Sequence, residues 1–127
     1  MKNLEQIRAR NALAFAATGP LSGDKGGEVI KKVPSLIINH GLLAAAAYSF
    51  TEKEAWQRIF DAIAKHLSDP EVAVFAVGND TRQKLMEQLT NSSSTSERLK
   101  HATAETMAWL SYARRFVKKS RQDQRED

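Results

Sequence analysis

Hydrophobic and polar residues along the chain alternate mostly with the periodicity of an α-helix. From Leu4 to Ala17, apolar residues recur at intervals of three to five, which predicts a helix with one buried stripe and with Arg8 and Arg10 facing outward. Residues 18–27 then hold four of the six glycines. Because each glycine destabilises a helix by about 1 kcal/mol relative to alanine, this stretch is predicted to be a loop.

The central part of the chain contains two further helical segments. Residues 28–50 have helical character, but Pro34 lacks an amide hydrogen and Gly41 lacks a β-carbon, so we expect a bend or a break at these positions. Thr51 and Glu54 have the spacing of a capping box, which predicts the start of the next helix. That helix is predicted to end at residues 68–70. Its apolar stripe consists of Trp56, Ile59, Phe60, Ile63 and Leu67.

The remaining residues predict three more helical segments. Residues 71–77 are rich in β-branched side chains, but a lone strand has no sheet to join, so a helix is favoured. Asn79 and Asp80 are predicted to cap a short helix, and Ser94 with Glu97 is a possible capping box for a final helix over residues 97–119. The predicted inward positions are Leu85, Met86, Leu89, Leu99, Ala102, Thr106, Trp109, Leu110, Ala113, Phe116 and Val117.

These patterns predict an all-α fold, a compact bundle of about five to six helices with a long C-terminal helix. The length of 127 residues suits a single soluble domain, which we place at residues 1–121, followed by a disordered charged tail at 122–127. No apolar run approaches the ~20 residues that span a bilayer, and no secretory signal is evident. We therefore expect a cytoplasmic protein that does not contact a membrane.

Charge is distributed unevenly along the sequence. Residues 1–50 carry a net charge of +3, residues 51–95 carry −2, residues 96–121 carry +5 and the last six residues carry −2. Clustered lysine and arginine attract a polyanion over a Debye length of roughly 8 Å, so this distribution favours contact with nucleic acid. A solvated helix face is the alternative explanation, and cations near a helix C-terminus are favoured by the helix dipole without any ligand.

Residues suited to catalysis are few. The chain has no cysteine, which excludes a disulfide scaffold, a thiolate metal site and a cysteine nucleophile. His66 is predicted to be a surface residue near a helix end, and His40 to be a turn residue beside Gly41. Glu97, His101 and Glu105 share a helix face, but a di-iron bundle needs Glu-x-x-His on two helices, and that motif is missing. The sequence therefore predicts a binding protein rather than an enzyme, without cofactor, metal or small-molecule substrate.

Three segments of the chain together resemble a known family. Residues 8–12 read RARNA, and residues 31–49 read KKVPSLIINHGLLAAAAYS. Further along the chain, residues 102–105 read ATAE and residues 109–116 read WLSYARRF. In this order they resemble the small all-α subunit of the type III-B CRISPR effector, the Cmr complex. The resemblance spans nearly the whole chain.

This resemblance implies a non-catalytic subunit of an RNA-guided, RNA-targeting antiviral complex. Several copies would stack into a minor filament, with other Cmr subunits, guide RNA and target RNA as partners. Basic side chains would contact phosphates without reading sequence, since base pairing supplies specificity. The RNA-binding residues expected on this basis are Arg8, Lys31, Lys32, Arg114, Arg115 and Lys118.

Two alternative functions stay open at the level of sequence. A stand-alone helical DNA-binding regulator would need a recognition helix, and the candidate is the segment 80–90 with Thr81, Arg82, Gln83 and Lys84. A pure protein-interaction bundle would make no nucleic-acid contact, and the basic cluster at Arg114 and Arg115 would then serve a neighbouring copy or its own helix end.

Overall fold

The described part of the chain in this computed structural model consists of residues 3–19, 26–52 and 54–126, without the side chains of residues 26–28 and 118–126. Six α-helices and no strands occur in these ranges, so the predicted all-α bundle with a long last helix is confirmed. No helix among the described residues is long and apolar enough to cross a membrane. The helices are α1 (Leu4–Ala17), α2 (Gly26–His40), α3 (Leu42–Tyr48), α4 (Glu54–Leu67), α5 (Arg82–Thr90) and α6 (Ser96–Glu126).

Helix α1 has the bounds that the apolar periodicity predicts. Asn3 caps it: its side chain accepts a hydrogen bond from the Glu5 amide at 2.8 Å, and the Gln6 side chain accepts one from the Asn3 amide. The helix packs mainly against α6 and only lightly against α4. Phe15 takes part in this packing, since its ring centre lies 5.6 Å from that of Trp109 on α6.

The segment of residues 28–50 divides at Gly41, as predicted. Gly41 has φ 91° and ψ 160°, a conformation almost confined to glycine, and it separates α2 from α3. Pro34 lies inside α2, which continues through it without a break. Helix α2 packs against α6 and α3, and its buried residues include Ile30, Val33 and Ile37.

The stripes predicted for α4 and α6 form the core. The whole α4 stripe is buried, and on α6 the residues from Ala102 to Val117 that face inward are buried or half-buried. Trp109 is 1% exposed and lies among the other helices. Largest among the fully buried side chains are Trp109, Phe60, Ile30, Ile59, Ile63, Leu67, Leu85 and Leu110.

The prediction of a helix over residues 71–77 is wrong. The segment forms turns instead, because the amides of Val74 and Phe75 both donate to the carbonyl of Leu67 at the end of α4, at 3.1 and 3.0 Å. Ala73 has a φ of 55°, which interrupts any helix there. The apolar content of the segment is nevertheless used, since Val74 and Phe75 are buried.

Two of the predicted helix caps are displaced by one residue. Thr81, not Asn79 or Asp80, is the N-cap of α5, and its hydroxyl accepts a hydrogen bond from the Lys84 amide at 3.2 Å. At α6 the Thr95 hydroxyl accepts from the Arg98 amide at 3.1 Å, in place of Ser94. Threonine is close to serine and asparagine in capping strength, so neighbouring polar residues compete for the position. The Thr51–Glu54 box includes position 53, which lies outside the described residues.

Candidate nucleic-acid interface

Lys31 and Lys32 lie side by side on the solvent face of α2. Both side chains are exposed, while Ile30 and Val33 on either side of the pair are buried and fix the orientation of the helix. Neither ammonium group has a hydrogen-bond or ion-pair partner among the described residues. An exposed cation without a protein partner is available to a phosphate, because no internal contact has to be broken first.

Arg8 has a different environment from these lysines. Its Nε and Nη2 atoms each lie 2.7 Å from a carboxylate oxygen of Glu105, a bidentate ion pair between α1 and α6. The hydrogen bonds to Glu105, more than the nearby charges, raise the pKa of Arg8 above its ordinary value. Two nitrogens of this guanidinium therefore already donate hydrogen bonds within the protein. Arg8, on α1, also lies on a different helix from Lys31 and Lys32.

Glu105 is also the partner of His66. The Nε2 atom of His66 lies 2.9 Å from Oε2 of Glu105, and both side chains are almost fully buried. On the other edge of the ring, Nδ1 lies 2.9 Å from the Asn11 amide nitrogen, which also donates to Asp69 at 3.0 Å. The amide nitrogen of Asn11 can only donate hydrogen bonds. The Nδ1 atom of His66 is therefore the acceptor, and Nε2 carries the proton of the neutral ring. The prediction that His66 is a surface residue is therefore wrong.

This buried polar network shifts the pKa values of its members. Burial is the largest influence on His66 and lowers its pKa, so the neutral ring is favoured despite the adjacent carboxylate. Burial alone would raise the pKa of Glu105, but hydrogen bonds from Arg8 and His66 outweigh it and hold the pKa below the ordinary value. The same balance holds for Asp69, where hydrogen bonds from the Glu71 amide and from Asn11 prevail over burial. The network is thus a charged Arg8–Glu105 pair joined to a neutral histidine.

Arg114 and Arg115 lie on the exposed side of α6. Neither has an acidic partner among the described residues. Helix α6 continues to Glu126, so these arginines are well inside the helix rather than in its last turn, where the dipole would favour them. The side chain of Lys118 lies outside the described residues, so the structure does not locate it relative to the arginines.

The other residues considered for chemistry are either used internally or isolated. The described residues contain no group of three or more His, Cys, Asp or Glu side chains that could hold a metal ion. Glu105, the member of the suspected metal face nearest the core, is instead committed to Arg8 and His66. His40 is exposed at the end of α2.

The candidate recognition helix of a DNA-binding regulator is not arranged for that role. Helix α5 follows α4 only after the turns of residues 68–81, so the two do not form a helix-turn-helix. Arg82 lies over the ring of Phe50 at 4.7 Å and donates to the Ser49 carbonyl at 3.1 Å, while Lys84 donates to the Gly78 carbonyl at 2.9 Å. These basic side chains already stabilise the packing of α5.

The described part of the chain is thus a small all-α protein with exposed basic side chains that have no partner among the described residues, including Lys31 and Lys32 on α2 and Arg114 and Arg115 on α6. A family model described as CRISPR-associated protein (Cas_Cmr5) matches residues 4–120. The chain belongs to this family, that of the type III-B Cmr small subunit, and the resemblance seen in the sequence is confirmed. No curated protein and no solved structure matches it significantly.

Proposed function

We propose that this chain is a non-catalytic small subunit of an antiviral, RNA-targeting Cmr effector complex, and that its exposed lysines on α2 contact RNA. Membership of the family makes it a subunit of a CRISPR Cmr complex. The finer roles, stacking of several copies in a minor filament that helps hold guide and target RNA, form our proposal. A cytoplasmic location belongs to it as well.

The observation that carries the RNA contact is the pair of Lys31 and Lys32. They are adjacent, exposed and without a protein partner in the described structure, on a helix whose opposite face is fixed in the core. Two adjacent ammonium groups on flexible stems suit a phosphate backbone, because they contribute charge without the geometry needed to read bases. Recognition of sequence is then left to base pairing between guide and target.

We leave Arg8 out of the proposed RNA surface, because binding of a phosphate would compete with its ion pair to Glu105. The role of Arg114, Arg115 and Lys118 at phosphate stays a prediction. The six RNA-binding positions expected from the sequence are thus Lys31 and Lys32, which the proposal uses, Arg8, which it leaves out, and Arg114, Arg115 and Lys118, which stay predictions.

The experiment that tests the proposal is purification of the tagged protein from its native cells, followed by sequencing of bound RNA and mass spectrometry of bound proteins. Short guide RNAs together with the large Cmr subunits are the expected result. Recovery of the protein alone, or with a specific DNA operator, would overturn the proposal and favour the regulator. Recovery of the Cmr proteins without RNA from every preparation would favour a pure protein-interaction role.

A further inference from the structure

The side-chain amide of Asn11 links His66 to Asp69. Its nitrogen, Nδ2, lies 2.9 Å from Nδ1 of His66 and 3.0 Å from Oδ2 of Asp69. An amide nitrogen carries two hydrogens, so it can donate one to each of these acceptors at the same time. Because Nε2 of His66 already donates to Glu105, a further proton on the ring must bind at Nδ1. Asn11 therefore contacts the atom of the ring where that proton would bind.

Asp69 begins the turn that follows α4, residues 69–73. Its Oδ1 atom accepts a hydrogen bond from the Glu71 amide at 2.8 Å, and its carbonyl accepts one from the Ala73 amide at 2.7 Å. Arg10 joins the same turn to α1, since its guanidinium lies 3.2 Å from Asp69 and 3.0 Å from Glu71. The contacts of the Asp69 carboxylate therefore determine how firmly the turn is held against α1.

The His66 ring is buried, but its Asn11 edge lies beside an open groove. This groove, between α1 and α4, has a volume of about 370 Å³, and His66, Asn11 and Asp69 all line it. Solvent in the groove gives a proton a path to Nδ1. Burial keeps the pKa of His66 below its ordinary value, so the ring becomes charged in acid. The charged groups around the ring are Glu105, Arg8 and Asp69, and those that line the groove with it are Arg58, Asp61, Lys65, Asp69 and Asp80.

Protonation of Nδ1 sets two hydrogen-bond donors against each other. The new N–H of the His66 ring points at the NH₂ group of Asn11, where no hydrogen bond can form. A half-turn of the amide restores one, because the Asn11 oxygen then accepts from Nδ1. The same half-turn places that oxygen against the Asp69 carboxylate, where the nitrogen had donated. Two acceptor oxygens repel each other, so Asp69 loses a hydrogen bond to α1.

We propose that Asn11 is a proton-operated latch, which holds the turn of residues 69–73 against α1 while His66 is neutral and releases it when His66 is charged. The bundle itself keeps its fold in both states, because the charged ring still donates from Nε2 to Glu105. The released turn is a local opening, with fewer hydrogen bonds and faster amide exchange than the helices around it. The latch does not depend on the proposed RNA contact, whose lysines lie on α2.

An NMR titration of the isotope-labelled full chain tests the latch. The backbone amide signal of Glu71 and the ring signals of His66 are followed from pH 8 to the onset of acid unfolding. We expect both to change with one midpoint. Below it, exchange of the Ala73 amide, corrected for pH, should become about tenfold faster, as for the loss of one hydrogen bond to a charged group. In His66→Gln, the change at Glu71 with this midpoint should be lost.

Asn11→Asp tests the latch at constant pH. Its carboxylate presents oxygen to both neighbours, as the reversed amide does, so the Glu71 signal should already lie near its acid position at pH 7. The added negative charge beside the ring should also raise the pH at which His66 titrates. The control is Asn39→Asp, which adds the same charge at an exposed position on α2 and should leave both signals unchanged. A Glu71 signal in Asn11→Asp that equals the neutral native one would overturn the latch.

Asn11→Ala separates the latch from a direct effect of the charge on His66. Without the amide, the ring should still titrate, but the Glu71 signal should no longer follow it. An equal shift of Glu71 in this variant would show that the charge acts through space, and the latch would be wrong. A native Glu71 signal that stays constant while the ring titrates would also contradict it. So would unfolding before the ring titrates, because no folded state would then hold the charged ring.

Discussion

The imidazole of His66 donates from Nε2 to the carboxylate of Glu105 at 2.9 Å, inside the bundle and between two helices that are distant in sequence. The same carboxylate receives both hydrogen bonds from Arg8. One acidic side chain on α6 is thus the shared acceptor for a residue of α1 and a residue of α4. The relative positions of three helices depend on it.

Removal of this acceptor should be strongly destabilising. Glu105→Ala leaves the half-buried Arg8 guanidinium without its ion-pair partner and His66 without its hydrogen-bond acceptor. Loss of one partner of a buried pair lowers the free energy of unfolding by about 3–5 kcal/mol. Chemical denaturation followed by circular dichroism measures the change. The control is Glu97→Ala, an exposed carboxylate on the same helix, which we expect to change the free energy by less than about 0.5 kcal/mol. Similar values for the two variants would contradict the role given to Glu105.

Stability should decrease as pH falls below neutral, in two stages. The pKa of His66 is lowered by burial, so the unfolded chain takes up a proton near 6.5 while the folded protein resists it until lower pH. Stability is therefore complete above that value and declines below it. Glu105 and Asp69 also have lowered pKa values, so their stabilisation is present above the ordinary 4.5 and 3.8 and is lost as pH falls through the lower folded values.

Urea midpoints measured between pH 8 and about pH 2 check this dependence. In His66→Gln the first decline, just below pH 6.5, should disappear, while the acidic decline persists. The variant is less stable throughout, so the comparison is between slopes against pH rather than between absolute midpoints. A native protein whose midpoint is flat from pH 7 to pH 5 would contradict a buried neutral histidine.

Replacement of both exposed lysines on α2 should weaken RNA binding by the complex without affecting the fold. Each phosphate contact contributes roughly 0.7 to 0.9 to the slope of log affinity against log salt, so Lys31→Ala with Lys32→Ala should reduce the slope by about 1.5 for each copy that contacts RNA. Filter binding at several salt concentrations gives both quantities. Lys100→Ala, another exposed lysine, serves as the control and should leave the slope unchanged.

Gly41→Ala should destabilise the protein through its backbone alone. No atom lies within 4 Å of the position that a β-carbon would occupy, so the substitution causes no clash with neighbouring residues. The φ of 91° with ψ of 160° is nevertheless a strained conformation for alanine, with a cost of about 1–3 kcal/mol. Thermal unfolding measures the loss. Ser35→Ala, at an exposed position within α2, should change the stability by less than about 0.5 kcal/mol.

Sequence patterns predicted the helices whose packing depends on a single apolar stripe. The spacing from Trp56 to Leu67 identified α4, and the spacing from Ala102 to Val117 identified the buried face of α6. Residues 71–77 were not predictable in this way, because their amides bond to a carbonyl of α4 that only the tertiary structure brings near. Apolar content indicated burial correctly but not backbone conformation.

The buried polar network was missed although the sequence contained a signal for it. His66 falls three residues after Ile63 on the α4 stripe, and Glu105 falls three residues after Ala102 on the α6 stripe, so both occupy inward positions. A histidine and a glutamate on facing apolar stripes require partners, because buried polar groups are costly when left unpaired. Arg8 is the third member of the network. It was missed because the sequence predicted an outward position for it, whereas its side chain contacts Glu105 at the edge of the core.

The pairing of α1 with α6 determines the order in which the bundle can form during synthesis. Arg8 and Glu105 are 97 positions apart, and the first helix makes its main contacts with the last. While a ribosome is still adding α5, the apolar face of α1 lacks α6, its main partner, and contacts between residues so far apart in sequence form slowly. The N-terminal helix must therefore wait for nearly the whole polypeptide, and chains terminated before residue 105 will expose Phe15 and Ile7 to chaperones and proteases.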